Sequence, residues 1–291
     1  MFLNDLLTAG DVDPEQTLVL RHRPKEPKLA RVLPWLAAQR TDLFDAYQSC
    51  QGPVLEVSMS KLPYVASFIA HGPGRALFVG LYSINEPTPY PRADFWSIPG
   101  YAELRSYGMD GLAETDPRQS ILKFDLRLLE FHQEWRGKLI VGWPPPERSW
   151  WRRAHQNKMP VLAILEDSAL EPAMPDWTEL LVTWAELSVL PRRWCAALSE
   201  WRGIYYIRDT SDGRGYVGSA AGAENLLGRW RDYAKTGHGG NRLLLDRCPD
   251  TFVFSILQRT SPDMPREDIV KLETSWKIRL GTYAPAGLND N

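Results

Sequence analysis

Apolar residues over the first 165 positions fall into short blocks separated by proline, glycine and charged residues, with no repeat period and no low-complexity tract. The clearest blocks, Ala76–Ile84 and Lys138–Gly142, predict strands. Val161–Leu165, bounded by Pro160 and by Glu166 and Asp167, predicts a third, and Ser120–Leu129 a fourth. Between Glu166 and Asp176 the chain turns acidic and proline-bearing, and Trp177–Trp184 and Pro191–Trp201 then read as short helices. Residues 166–201 are therefore expected to link an N-terminal domain, 1–165, to a C-terminal one, 202–291. In the C-terminal stretch, Gly203–Arg208 and Arg214–Ala220 flank Ser211-Asp212-Gly213 as a β-hairpin. A helix from about Ala223 to Thr236 stops at Gly237, a strand covers Phe252–Gln258, and a helix from about Pro265 to Leu280 stops at Gly281. The order is ββαβα, and the class α+β.

The 291 residues are enough for two domains, and 44% hydrophobic composition fills ordinary cores. A net charge of -2 gives no sign of the wide basic surface of a protein that coats nucleic acid indiscriminately, so the partner must be read from sites. Of 34 Lys+Arg and 36 Asp+Glu, 13 and 11 follow residue 200, leaving 21 and 25 before it, so the C-terminal part is mildly basic. Cys50, Cys195 and Cys248 are too scattered for a disulfide framework or a zinc site. The acidic N-terminus and the lack of a long apolar run predict a soluble, cytoplasmic protein.

Candidate chemistry is concentrated after residue 200. Strand alternation lets Tyr205 and Tyr216 project from one face of adjacent strands. The next helix carries Arg229 and Tyr233 at i, i+4 spacing beside Leu226 and Trp230, which aims an arginine at the sheet. In the last helix Ile269, Leu272, Trp276 and Leu280 form an apolar stripe, and Glu273 falls inside it. An interior carboxylate needs a cation, for which Arg229 and a bound metal ion are the two candidates. Glu267 and Asp268 lie off the stripe, in the first turn where acids complement the helix dipole.

Gly203-Ile204-Tyr205, ten further residues, Tyr216-Val217-Gly218, then Arg229, Tyr233, His238, Glu273 and Asn289 resemble the GIY-YIG nuclease superfamily in order and spacing. The resemblance covers residues 202 to 291. It implies a small antiparallel sheet flanked by helices and one divalent metal, Mg²⁺ or Mn²⁺, held by Glu273. Two departures stand out: Val217 replaces the isoleucine of the family name, and Tyr233 stands where several members have histidine, which leaves the general base open. Phosphodiester hydrolysis then gives Arg229 the phosphate clamp and makes Tyr205 the preferred general base with Tyr216 as its partner. A phenol needs neighbouring positive charge to deprotonate near neutrality. His238 is expected to shuttle that proton or contact the phosphate, and Asn289 to orient Glu273 or a substrate oxygen.

The N-terminal domain is less legible. Its strand-rich, barrel-like pattern is faintly similar to PUA-like barrels, a class that includes readers of modified bases. Two segments, Arg21-His22-Arg23-Pro24-Lys25 and Trp150-Trp151-Arg152-Arg153, combine cations with aromatic faces, and each also reads plainly as a basic loop or a packed junction. Phe44, Tyr47, Tyr82, Trp96 and Trp143 read equally as core or as the lining of a pocket for a flipped base. The expected function is a metal-dependent DNA endonuclease, modification-dependent in a restriction or anti-phage setting. A repair nuclease acting on structured DNA and an inactive nucleic-acid-binding platform are the alternatives. RNA stays open as a substrate, as does a homodimer for double-strand cleavage.

Overall fold

The computed structural model describes residues 1–112, 116–171, 173–222 and 224–290. The chain is α+β and divides into two compact units, Met1–Pro172 and Ala173–Asn291. No helix among the described residues is long and apolar enough to cross a membrane.

In the first unit the strands are β1 (Thr17–His22), β2 (Tyr64–Ala70), β3 (Arg75–Ile84), β4 (Thr88–Pro91), β5 (Ser120–Lys123), β6 (Leu126–Leu128), β7 (Leu139–Gly142), β8 (Trp151–Arg153) and β9 (Val161–Ile164). Its helices are α1 (Leu3–Ala9), α2 (Pro27–Gln39), α3 (Thr41–Ser49), α4 (Pro53–Met59) and α5 (Tyr101–Ser106). The main sheet is a mixed half-barrel of order β8-β1-β2-β3-β7-β9, with β6 also on β3. β1 and β2 run parallel, so the chain between them must cross back, which it does through α2, α3 and α4. Every residue of β1 is buried, and such a strand shows no apolar alternation to read. The predicted strands at 76–84, 138–142 and 161–165 match β3, β7 and β9. The one at 120–129 divides into β5 and β6 at Phe124, which is buried and donates its N–H to Ser49 O at 2.8 Å. Phe44 and Tyr82 are core residues, at 0% and 1% exposure.

The second unit holds β10 (Leu181–Thr183), β11 (Arg202–Asp209), β12 (Gly215–Ala220) and β13 (Phe252–Thr260), with α6 (Trp184–Leu187), α7 (Arg192–Glu200), α8 (Asn225–Thr236) and α9 (Arg266–Leu280). The sheet is antiparallel throughout, in the order β10-β13-β11-β12. From β11 onward the order is ββαβα. The predicted helix over 177–184 does not form. Thr183 instead makes a capping box, its N–H and hydroxyl both donating to Glu186 at 2.8 and 2.7 Å, so helix begins only at Trp184. The three residues before it pair with Val253–Ser255 as an edge strand. The stretch expected to link two domains thus groups, from Ala173 on, with the second unit. Ala223, where the sequence would start α8, lies outside the described residues.

The hairpin end is fixed by Asp209, 1% exposed, which accepts from the Ser211 amide at 2.9 Å, Thr251 Oγ1 at 2.8 Å and Arg247 Nη1 at 2.5 Å. Burial alone would raise this carboxyl, but the bonds from Ser211, Arg247 and Thr251 outweigh it and hold it well below the usual carboxylate range. A carboxyl depressed on folding stabilises above its unfolded value and loses that contribution as pH falls through the folded one. Asp209→Asn is therefore expected to cost about 2 kcal/mol at pH 7, where wild type carries a charge-assisted network. The gap between the two proteins should close progressively in strong acid, as urea midpoints at pH 7 and at successively lower pH would show.

Candidate active site

Tyr205 and Tyr216 do share a face of the hairpin. Tyr216 pairs with Ile207 and Tyr205 with Gly218, so the two rings are diagonal neighbours with centroids 6.4 Å apart. Gly218 makes this arrangement fit: a Cβ there would stand 2.3 Å from the Tyr205 hydroxyl. α8 packs on this face with Leu226 and Trp230 fully buried, and brings Tyr233 within 6.1 Å of the Tyr205 ring and 6.4 Å of the Tyr216 ring. The Tyr205 and Tyr233 hydroxyls are 3.1 Å apart, and Asn241 Nδ2 donates to Tyr233 at 2.7 Å. Arg229 stands one turn before Tyr233, its guanidinium 5.5 Å from that ring and Nη2 3.4 Å from the Tyr205 hydroxyl. Its side chain is 33% exposed, so one edge of the cation faces out of the cluster.

The electrostatics of these phenols run against the preferred base. Burial pushes the Tyr205 hydroxyl up, the neighbouring Tyr216 adds to the rise, and Arg229 opposes it without prevailing. Tyr233 is raised in the same way, first by burial and then by the other two phenols. For Arg229 burial works against the charge, but Tyr205 and Tyr233 outweigh it and keep the guanidinium above its ordinary value. Tyr205 is fully buried and held protonated near neutrality, whereas Tyr216 at 8% is the most accessible of the three rings.

Glu273 lies on the other face of the sheet. Ile204, Val217 and Ile269 form the small core there, with Leu272 and Trp276 against it, while Leu280, expected in the same stripe, is 43% exposed. The carboxylate is 17% exposed and has the cation that burial demands, but from a residue outside the predicted pair of candidates. Lys277 Nζ is 2.8 Å from Oε1, one helical turn along, where i, i+4 geometry places it more readily than Arg229 across the sheet. Ser219 Oγ donates to Oε2. Ser219 and Tyr216 have opposite parity on β12, so this single edge strand carries the phenol cluster on one side and Glu273 on the other.

Asn289 does not meet Glu273. It is 2% exposed, and its amide pairs with the main chain of Val217, Oδ1 accepting from N–H at 2.9 Å and Nδ2 donating to the carbonyl at 2.8 Å. The side chain closes the open edge of β12 as a further strand would. Asn289→Ala would leave both main-chain groups buried without partners, at about 1 to 3 kcal/mol each. A drop of several degrees in the melting temperature of the second unit, followed by tryptophan fluorescence, is the expected outcome. His238 is held in its own turn, its Nδ1 accepting from the Gly240 amide at 3.0 Å. The structure therefore brings together Tyr205, Tyr216, Arg229 and Tyr233, and places Glu273, His238 and Asn289 elsewhere around β12 and the end of α8. Ser219, Lys277 and Asn241 join the site without a motif to announce them, although Lys277 is legible from its i, i+4 spacing to Glu273.

Among the described residues no three His, Cys, Asp or Glu side chains cluster as a ready metal cage. Glu273 alone suits a hard cation that keeps most of its waters, provided Lys277 yields Oε1.

No family model matches the chain, and no curated protein does. Among solved structures, the catalytic domain of homing endonuclease I-TevI is 28% identical over 31% of this chain and 98% of its own, with a TM-score of 0.26. A point mutant of the catalytic domain of intron endonuclease I-TevI is 26% identical over 31% and 94%, again at 0.26. About 31% of the chain thus matches the catalytic domain of a GIY-YIG nuclease, and the rest is unassigned.

Proposed function

We propose that the second unit is a divalent-metal-dependent endonuclease that hydrolyses phosphodiester bonds in DNA. The observation that carries this reading is the cluster of Tyr205, Tyr216 and Tyr233 with Arg229 at its edge, in which Tyr216 comes from β12, the strand whose other side reaches Glu273 through Ser219. Tyr216 and Ser219 thus connect β12 to the arginine on one face of the sheet and to the carboxylate on the other.

Arg229 supplies planar, permanently charged donors for the non-bridging oxygens. Tyr216, the most accessible phenol, orients the attacking water, while Tyr205 and Tyr233 stay protonated and fix the ring cluster through their shared hydroxyl contact. His238, just past the end of α8, accepts from the Gly240 amide through Nδ1, which leaves Nε2 to donate to a phosphate oxygen. Glu273, with Ser219 on one oxygen, would hold Mg²⁺ or Mn²⁺, and the ion would supply positive charge for the phosphoryl and leaving oxygens. The first unit is the specificity element, and a modification-dependent restriction role is the setting we favour.

One observation favours a second reading. Lys277 already neutralises Glu273, as it would in a fold kept as a non-catalytic nucleic-acid-binding platform. Incubating matched unmodified duplex, cytosine-modified duplex, single-stranded DNA and RNA with the protein and Mg²⁺ separates the readings. Cleavage of DNA supports the nuclease, and preference for the modified duplex supports the restriction setting. Binding of every substrate with cleavage of none supports the platform.

A further inference from the structure

The first unit contains a cavity of about 770 Å³, within the range of small-molecule sites. It brings together the two cation-and-aromatic segments that the sequence leaves far apart. β1 and β8 pair, with Leu20 opposite Trp151, and the Arg21 amide donates to Trp150 O at 2.7 Å. The cavity therefore opens where β1 ends, lined by Arg21 to Lys25 from one segment and by Trp150 from the other.

Its floor holds unspent hydrogen-bonding capacity. Arg21 is 1% exposed, held by Nη2 donating to Glu147 O at 2.6 Å and by the Trp143 ring 4.9 Å from its guanidinium carbon. Its Nε and Nη1 are buried with no hydrogen-bond partner, and so is Nε2 of His22 at 3% exposure. Such groups cost free energy when left unpaired, so their retention in a cavity wall marks them for a ligand with polar edges. Burial holds His22 down to about 4, and with its other nitrogen bonded to Gln48 the neutral ring leaves Nε2 for a ligand. Tyr47, Phe95 and Trp150 supply aromatic wall, and of the five aromatic residues the sequence singled out only Tyr47 lines the space. Arg23, Lys25 and Arg148 are exposed lining residues, and with Arg21 they set four cations against the carboxylates of Glu26 and Glu147.

A planar aromatic ligand with donors and acceptors on its edge fits the floor and walls, and negative charge fits the rim. We propose that this cavity receives a single nucleobase turned out of a DNA strand, its edge on Arg21 and His22 and its flanking phosphates on Arg23, Lys25 and Arg148. The rim position of the exposed cations favours a strand over a free nucleotide, because it leaves the phosphates outside while the base enters. The inference rests on the first unit's own residues and takes only the choice of DNA from the nuclease reading, so it is tested with cleavage switched off.

The test uses the full chain in EDTA with a duplex carrying one 5-iododeoxyuridine, irradiated and mapped by mass spectrometry, with strand affinity read by fluorescence anisotropy. The expected result is a cross-link on the peptides containing Tyr47, Phe95 or Trp150, reduced at least tenfold in Arg21→Gln. Arg148→Ala, an exposed change that leaves the core intact, is expected to weaken strand binding at least threefold and to flatten its salt dependence. Cross-links confined to other peptides, no cross-link at all, or an Arg148→Ala protein that binds as wild type would each overturn the proposal. Thymidine monophosphate binding more tightly than the strand would overturn it too, in favour of a free-nucleotide site.

Discussion

Glu273→Gln is expected to lower the DNA cleavage rate by about 10³-fold or more, the largest effect of any single substitution in this chain. The amide keeps the size of the side chain and still accepts from Ser219, so packing around Ile269 and Trp276 is preserved. What it removes is the negative charge on which a divalent ion depends, and stabilisation of developing charge by such an ion is worth several kcal/mol, a decade of rate for each 1.4 or so. The substitution also removes the countercharge that Glu273 gives Lys277, and because the two side chains are only 17% and 11% exposed, that costs stability, on the order of a few kcal/mol. Activity and stability are therefore both expected to fall, and single-turnover cleavage measured at a temperature where the variant is still folded separates the two. A variant that cuts as wild type but unfolds more easily would reduce Glu273 to a structural partner of Lys277.

Arg229→Ala is expected to cost about 10² to 10³ in rate, the scale of losing one preorganised charged donor to a phosphoryl group. The guanidinium also covers the Tyr233 ring, so some stability is lost with it. Arg229→Lys keeps the charge and part of that cover but not the planar fork, and belongs between the two in rate. Measuring cleavage at saturating DNA separates the effects, because a residue acting only through ground-state binding would raise KM and leave kcat unchanged. Equal rates for all three proteins would remove Arg229 from the reaction.

The hairpin and its tyrosines were readable because strand parity and glycine spacing act locally. Tyr205 and Tyr216 share a parity class, and Gly218 is the residue that leaves room for the Tyr205 hydroxyl. The same parity places Ser219 on the opposite face, and with it Glu273, so the two-sided character of the site is encoded in the spacing of β12. The cation for Glu273 has a local signal as well: Lys277, one turn along the same helix, needs no tertiary contact to reach it, whereas Arg229 does. The role of Asn289 is not legible in the sequence because its partner is main chain, and only the fold shows that the edge of β12 needs closing.

Elsewhere the information is non-local. The three residues of β10 become a strand because Val253–Ser255 offers an edge, and nothing in Leu-Val-Thr says so. β1 and β2 are buried runs without alternation, paired in parallel across three helices. The Arg21 and Trp150 segments lie far apart in the chain until β1 and β8 pair, which is why each alone looked like an ordinary basic loop or a packed junction.

The most direct measurement is the fate of supercoiled plasmid incubated with the purified chain in Mg²⁺, beside an identical reaction containing excess EDTA. Nicked or linear product is expected in the first and intact plasmid in the second. Plasmid left intact in both, under conditions where the protein binds it, would contradict the central claim that this site hydrolyses DNA.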